Sequence, residues 1–136
     1  MRAVLDANVL ISALLSPRGV PARLLLAWQH GHFELIVSAK LLGELERALA
    51  YPKLRRRIPL DDATEFIASL TAHATMAVDP PLHPTLRSTD PGDDYLLALA
   101  ATESATLVSG DAHLLALSAD LPVSSPAPFL EQIDSE

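Results

Sequence analysis

Four acidic residues stand where carboxylates can do chemistry together. Asp6 directly follows the apolar run Ala3-Val4-Leu5, and Asp111 follows Thr106-Leu107-Val108-Ser109 after a single glycine. Asp93 opens the apolar stretch behind Asp90-Pro91, while Glu44 lies beside the leucine stripe of Leu41, Leu42, Leu45 and Leu49. Carboxylates held close together raise one another's pKa and cannot all stay ionised unaided. A hard divalent cation such as Mg²⁺ or Mn²⁺ relieves that repulsion through oxygen ligands. The same cation can bind a phosphodiester oxygen, lower the pKa of an attacking water and stabilise the leaving oxygen. Asn8 and Ser12 follow Asp6 closely enough to hydrogen-bond carboxylate oxygens and fix their orientation. Each acid also has a plainer reading. Asp6 suits a turn, Asp93 with Asp90 suits a helix start, Asp111 suits a cap, and Glu44 suits a solvated helix edge.

The elements decide whether the four can meet. Ala3-Val4-Leu5 reads as a short buried strand, and Val9, Leu10, Ala13 and Leu14 as a short helix behind it, broken at Ser16-Pro17-Arg18-Gly19. Pro21 fits the first turn of a second helix with Leu24, Leu25, Ala27 and Trp28 on its apolar face and Gly31 at its end. Phe33 to Val37 reads as a strand and Ser38 as the cap of a helix over Ala39 to Ala50, which Pro52 terminates. A further helix is expected over Asp61 to Ala74, a short strand at Met76-Ala77-Val78, and a loop through Pro80, Pro81 and Pro84. Leu96, Leu97, Leu99 and Ala100 cover most of a helix circumference, so that helix should be packed on more than one side. Thr106 to Ser109 reads as a strand, Ala112 to Leu117 as a short helix, Pro122-Val123-Ser124 as a last strand, and Phe129, Leu130 and Ile133 as a terminal helix. Alternating short strands and helices predict a three-layer α/β/α domain with a mostly parallel central sheet. In such sheets ligands bind beyond the carboxyl ends of the strands. Asp6, Asp93 and Asp111 would emerge there, with Glu44 leaning over the same edge.

Composition narrows the alternatives. The 136 residues, with a mass of 14.6 kDa, fit one domain spanning 1–136. At 49% hydrophobic residues the chain is no disordered tail. Zero cysteines exclude a disulfide scaffold, a thiolate nucleophile, a zinc finger and a cysteine-ligated iron–sulfur site. The apolar run before Asp6 is too short for a signal peptide, and no uncharged stretch approaches a membrane span, so the cytoplasm is the expected location. Ten basic against 17 acidic residues leave a net charge of −7, which argues against a broad basic nucleic-acid face. Lys53, Arg55, Arg56 and Arg57 nevertheless concentrate positive charge, as either a solvated helix end or a contact to a phosphate backbone.

Taken in order, Val4-Leu5-Asp6-Ala7-Asn8-Val9-Leu10-Ile11-Ser12, the helix carrying Glu44, Asp90-Pro91-Gly92-Asp93-Asp94 before Leu96-Leu97-Ala98, and Leu107-Val108-Ser109-Gly110-Asp111 resemble the PIN-domain family. The resemblance spans nearly the whole chain. It implies a metal-dependent ribonuclease of the VapC-like toxin type, neutralised by a small antitoxin protein. Asp6, Glu44, Asp93 and Asp111 would be the catalytic and metal-binding acids, with Mg²⁺ or Mn²⁺ as cofactor. Asn8, Ser12 and Ser109 would be supporting polar residues, with Asp90 and Asp94 flanking the motif acid. Wider members of the family act in RNA processing or on structured DNA.

Other chemistries find less support. No pair among His30, His32, His73, His83 and His113 has metalloprotease spacing, and no glycine set forms a nucleotide-binding loop. A phosphotransferase with Asp6 as nucleophile lacks a second acid at Asn8, and an acidic interaction module would use its carboxylates only as caps. Leu24, Leu25, Trp28, Phe66, Ile67 and Leu70 exceed what one small core obviously needs, which, together with the resemblance, points to a homodimer.

Overall fold

The computed structural model describes residues 1–81 and 91–135. It contains β1 (Arg2–Leu5), α1 (Ala7–Leu15), α2 (Val20–Gln29), β2 (Glu34–Ser38), α3 (Ala39–Leu49), α4 (Pro52–Arg55), α5 (Leu60–His73) and β3 (Thr75–Ala77). After a 3₁₀ turn at Pro91–Asp93 follow α6 (Asp94–Thr102), β4 (Thr106–Val108), α7 (Ala112–Leu115), β5 (Val123–Ser124) and α8 (Pro126–Asp134).

The strands form one sheet in the order β3-β2-β1-β4-β5, and each pairing is parallel. From β1 the chain winds outward through β2 to β3, then crosses back to β4 and on to β5. Because such crossovers are right-handed, the two sets of connecting helices cover opposite faces. The result is the three-layer α/β/α architecture expected from the sequence. Ala3, Val4 and Leu5 of β1 and Ile36 and Val37 of β2 are fully buried, as strands covered on both faces must be. At the opposite edge from the strand ends, Arg2 joins three elements: its Nε donates to Glu34 at 3.0 Å and its Nη2 to Glu103 at 3.2 Å.

α6 is the most enclosed helix. Asp94 through Ala100 are all buried, and α6 packs on β1 and β4. Just beyond its C-cap, Glu103, Ser104 has a left-handed φ of 52°, a conformation that glycine adopts without strain. Pro52, expected only to stop α3, also starts α4, since proline fits the first turn of a helix.

The six residues offered as a dimer face have another use. Leu24 and Leu70 are fully buried, and Leu25, Trp28, Phe66 and Ile67 pack against the same core. Among the described residues, the large apolar side chains that remain exposed are Met1, Leu26, Tyr51, Leu60, Met76 and Val78. Among the described residues no single helix is long and apolar enough to cross a membrane.

Candidate functional site

Strand order reverses between β1 and β4, and the crevice at such a switch point is where open parallel sheets bind ligands. Asp6 and Asp111 flank it, one after each strand. The Asp6 amide donates to Val108 O at 3.1 Å, which carries the β1–β4 pairing one residue further. The Asp6 side chain is buried and caps α1, Oδ1 accepting from Val9 N at 2.9 Å. Its Oδ2 accepts from the Ser109 hydroxyl. That same Ser109 oxygen accepts from Asp111 N at 3.0 Å, so one fully buried hydroxyl joins the two acidic segments. Asp111 in turn caps α7, Oδ1 accepting from His113 N at 2.7 Å. Burial pushes the Asp6 carboxyl above its ordinary range. The hydrogen bonds from Ser109 and from the Val9 and Asn8 amides work against that rise, and the Asp111 charge adds to it.

Glu44 enters from α3. Its Oε2 accepts from the Tyr95 hydroxyl, which reaches over from α6. Tyr95 is 5% exposed. Burial pushes its phenol far up, followed by the hydrogen bond to Glu44 and the charges of Glu44, Asp93 and Asp6. Glu44 is thus hydrogen-bonded to this hydroxyl, and the charges of Asp93 and Asp6 reach it through space. Lys40, four residues before Glu44 and so on the same side of α3, holds its Nζ 4.7 Å from the centre of the Tyr95 ring. A cation over a ring in this position is worth about 0.5–1 kcal/mol where solvent reaches it.

The remaining residues named from sequence take varied places. Asp93 is half-buried at the N-cap position of α6, and Asp94 is buried beside it. Asn8 is exposed and reaches Asp6 with its backbone amide. Together with Ser12, Gly110 and Pro126, it lines a cavity of about 110 Å³ next to the crevice. Asp90 lies outside the described residues. Lys53, Arg56 and Arg57 are exposed beyond the far end of α3, and Arg55 lines a groove between α3 and α5. Tyr95 and Lys40 were not legible as site residues. Tyr95 sits inside an apolar run that reads as core, and its contact to Glu44 spans 51 positions.

Among the described residues, no three histidine or acidic side chains stand close enough in this arrangement to hold a metal ion. The donors nonetheless suit a hard divalent cation in kind. They are all carboxylate oxygens, and Asp6, on one side of the crevice, is both fixed by donors and disfavoured by burial as a bare anion.

The model of the PIN domain matches residues 2–113. The chain belongs to the PIN-domain family. An uncharacterised protein of Methanocaldococcus jannaschii, MJ1680, is 26% identical over 147 aligned positions, covering 98% of this chain and 92% of the relative. Among solved structures, PAE2754 from Pyrobaculum aerophilum superposes with a TM-score of 0.67 at 17% identity, covering 100% of this chain and 91% of that one. VapBC2 from Rickettsia felis, bound to a DNA fragment from its promoter, gives 0.65 at 15% identity, covering 92% and 98%. At such identities these two likenesses speak for the fold.

Proposed function

We propose that this PIN domain is a Mg²⁺- or Mn²⁺-dependent endoribonuclease, the toxin of a toxin–antitoxin pair. The observation that supports the reading is the position of Asp6 and Asp111 on either side of the β1–β4 switch point, joined through Ser109, with Glu44 hydrogen-bonded to the Tyr95 hydroxyl, which the charges of Asp93 and Asp6 also reach. Asp6, Glu44, Asp93 and Asp111 would hold the cation. When bound, it supplies an activated water and a counter-charge for the leaving oxygen.

The chain's own residues do the positioning. Ser109 and the Val9 amide set the Asp6 carboxylate, and the Ser109 oxygen ties the Asp111 backbone to it. Lys40 brings a positive charge to the rim of an acidic edge. Lys53, Arg55, Arg56 and Arg57, beyond the end of α3, contact the RNA backbone away from the carboxylates. The likeness to VapBC2 supports a small protein partner.

The test is cleavage of a short end-labelled single-stranded RNA with Mg²⁺, Mn²⁺ or EDTA, by wild type, Asp6→Asn and Asp93→Asn. The reading predicts cleavage that needs the metal and falls by roughly 100-fold or more in both variants at unchanged circular dichroism, about 2.7 kcal/mol of transition-state stabilisation. Full cleavage in EDTA, or by either variant, would overturn it.

A further inference from the structure

We propose that Tyr95 is a positioning residue for Glu44, its hydroxyl fixing one carboxylate oxygen and leaving the other to serve a divalent ion; this rests on the metal-dependent reading above. A glutamate on a helix surface is a long, rotamer-rich side chain whose ordering costs entropy. Glu44 is restrained by a donor that itself has little freedom. Tyr95 is 5% exposed, it belongs to a helix buried from Asp94 to Ala100, and Lys40 covers its ring. Donor and acceptor come from α6 and α3, so the bond also ties two helices of the site together. The charges of Asp93 and Asp6 reach the same hydroxyl, so the oxygen that Glu44 accepts from lies on the side of α6 that faces the other acids. Hydrogen-bonded partners of this kind commonly set a ligand's affinity for its metal.

The alternative is that Glu44 merely satisfies a buried phenol, which usually needs a partner. Mn²⁺ affinity, read by electron paramagnetic resonance of free Mn²⁺, separates the two in a double-mutant cycle of Tyr95→Phe and Glu44→Gln. Tyr95→Phe should weaken Mn²⁺ binding roughly 10-fold in the wild-type background and leave it unchanged in the Glu44→Gln background. Should Tyr95→Phe fail to fold, Glu44→Asp, which keeps the carboxylate but withdraws it from the hydroxyl, should reproduce the loss. Equal Mn²⁺ affinity with and without the Tyr95 hydroxyl, or equal weakening in both backgrounds, overturns the inference while the metal reading stands. Wild type that binds no Mn²⁺ overturns both.

Discussion

Asp6 caps α1, and the proposed metal role would ask something different of it. As the cap it needs only an acceptor oxygen; as a metal ligand it would need a charge that its burial disfavours. Asparagine keeps the acceptor and the capping preference and discards the charge. In EDTA, Asp6→Asn should therefore melt higher than wild type at pH 7, by roughly 2–4 °C, or on the order of 1 kcal/mol. The direction with pH follows from the raised carboxyl. Its contribution to stability is fully present below the unfolded-state value and is lost as pH rises through the higher folded-state value. The advantage of Asp6→Asn should thus be small at acid pH and grow toward neutrality; an advantage that shrinks with rising pH would contradict this account. Asp6 and Asp111 were legible as candidates because a carboxylate after a strand marks the carboxyl edge of a parallel sheet. Asp111 caps α7 as its plainer reading expects, and Asp6, read plainly as a turn residue, caps α1. Asn8 and Ser12 were read as orienting residues from their distance along the chain; both line the cavity beside the crevice, and the Asn8 amide donates to Asp6.

Elements explain why these residues meet. Ser38 ends β2 and caps α3, its Oγ accepting from Leu41 N at 3.3 Å, so α3 starts at the carboxyl edge and Glu44 comes in its second turn. α6 enters the same edge with Asp93 and Tyr95. Its exit is less comfortable: Ser104 holds a left-handed φ of 52° while Ala105 N donates back to Ala100 O at 2.9 Å. Ser104→Gly should stabilise the chain by about 0.5–1 kcal/mol, after the entropy that glycine adds to the unfolded state. Urea denaturation measures this, and a loss of stability would show that the serine side chain contributes more than its backbone costs. Strand and helix order were readable from apolar periodicity, and the all-round apolar pattern of Leu96 to Ala100 correctly announced a helix packed on more than one side. Residue pairings across elements were not readable, since Arg2 with Glu34 and Glu103, and Tyr95 with Glu44, depend on which strands and helices become neighbours.

The whole molecule carries a charge of −7, which opposes a polyanionic substrate unless metal and local basic residues offset it. The site and the cluster at Lys53 to Arg57 lie toward different ends of α3, so they should contribute separately. Replacing Arg55, Arg56 and Arg57 with Gln should raise the apparent KM, leave kcat nearly unchanged, and reduce the slope of log affinity against log salt by about 2 for a single strand. A loss confined to kcat would place these arginines at the reaction instead. Of the six residues from which a dimer was expected, Leu24 and Leu70 are buried in the core, while Leu25, Trp28, Phe66 and Ile67 pack against it and stay partly exposed. What unites the account is the proposal that a divalent ion would be held where the sheet reverses its strand order. Anomalous diffraction from crystals of the protein soaked in Mn²⁺ near neutral pH tests that directly. The account predicts density bounded by Asp6, Glu44, Asp93 and Asp111; well-ordered carboxylates with no anomalous peak among them at saturating Mn²⁺ would contradict it.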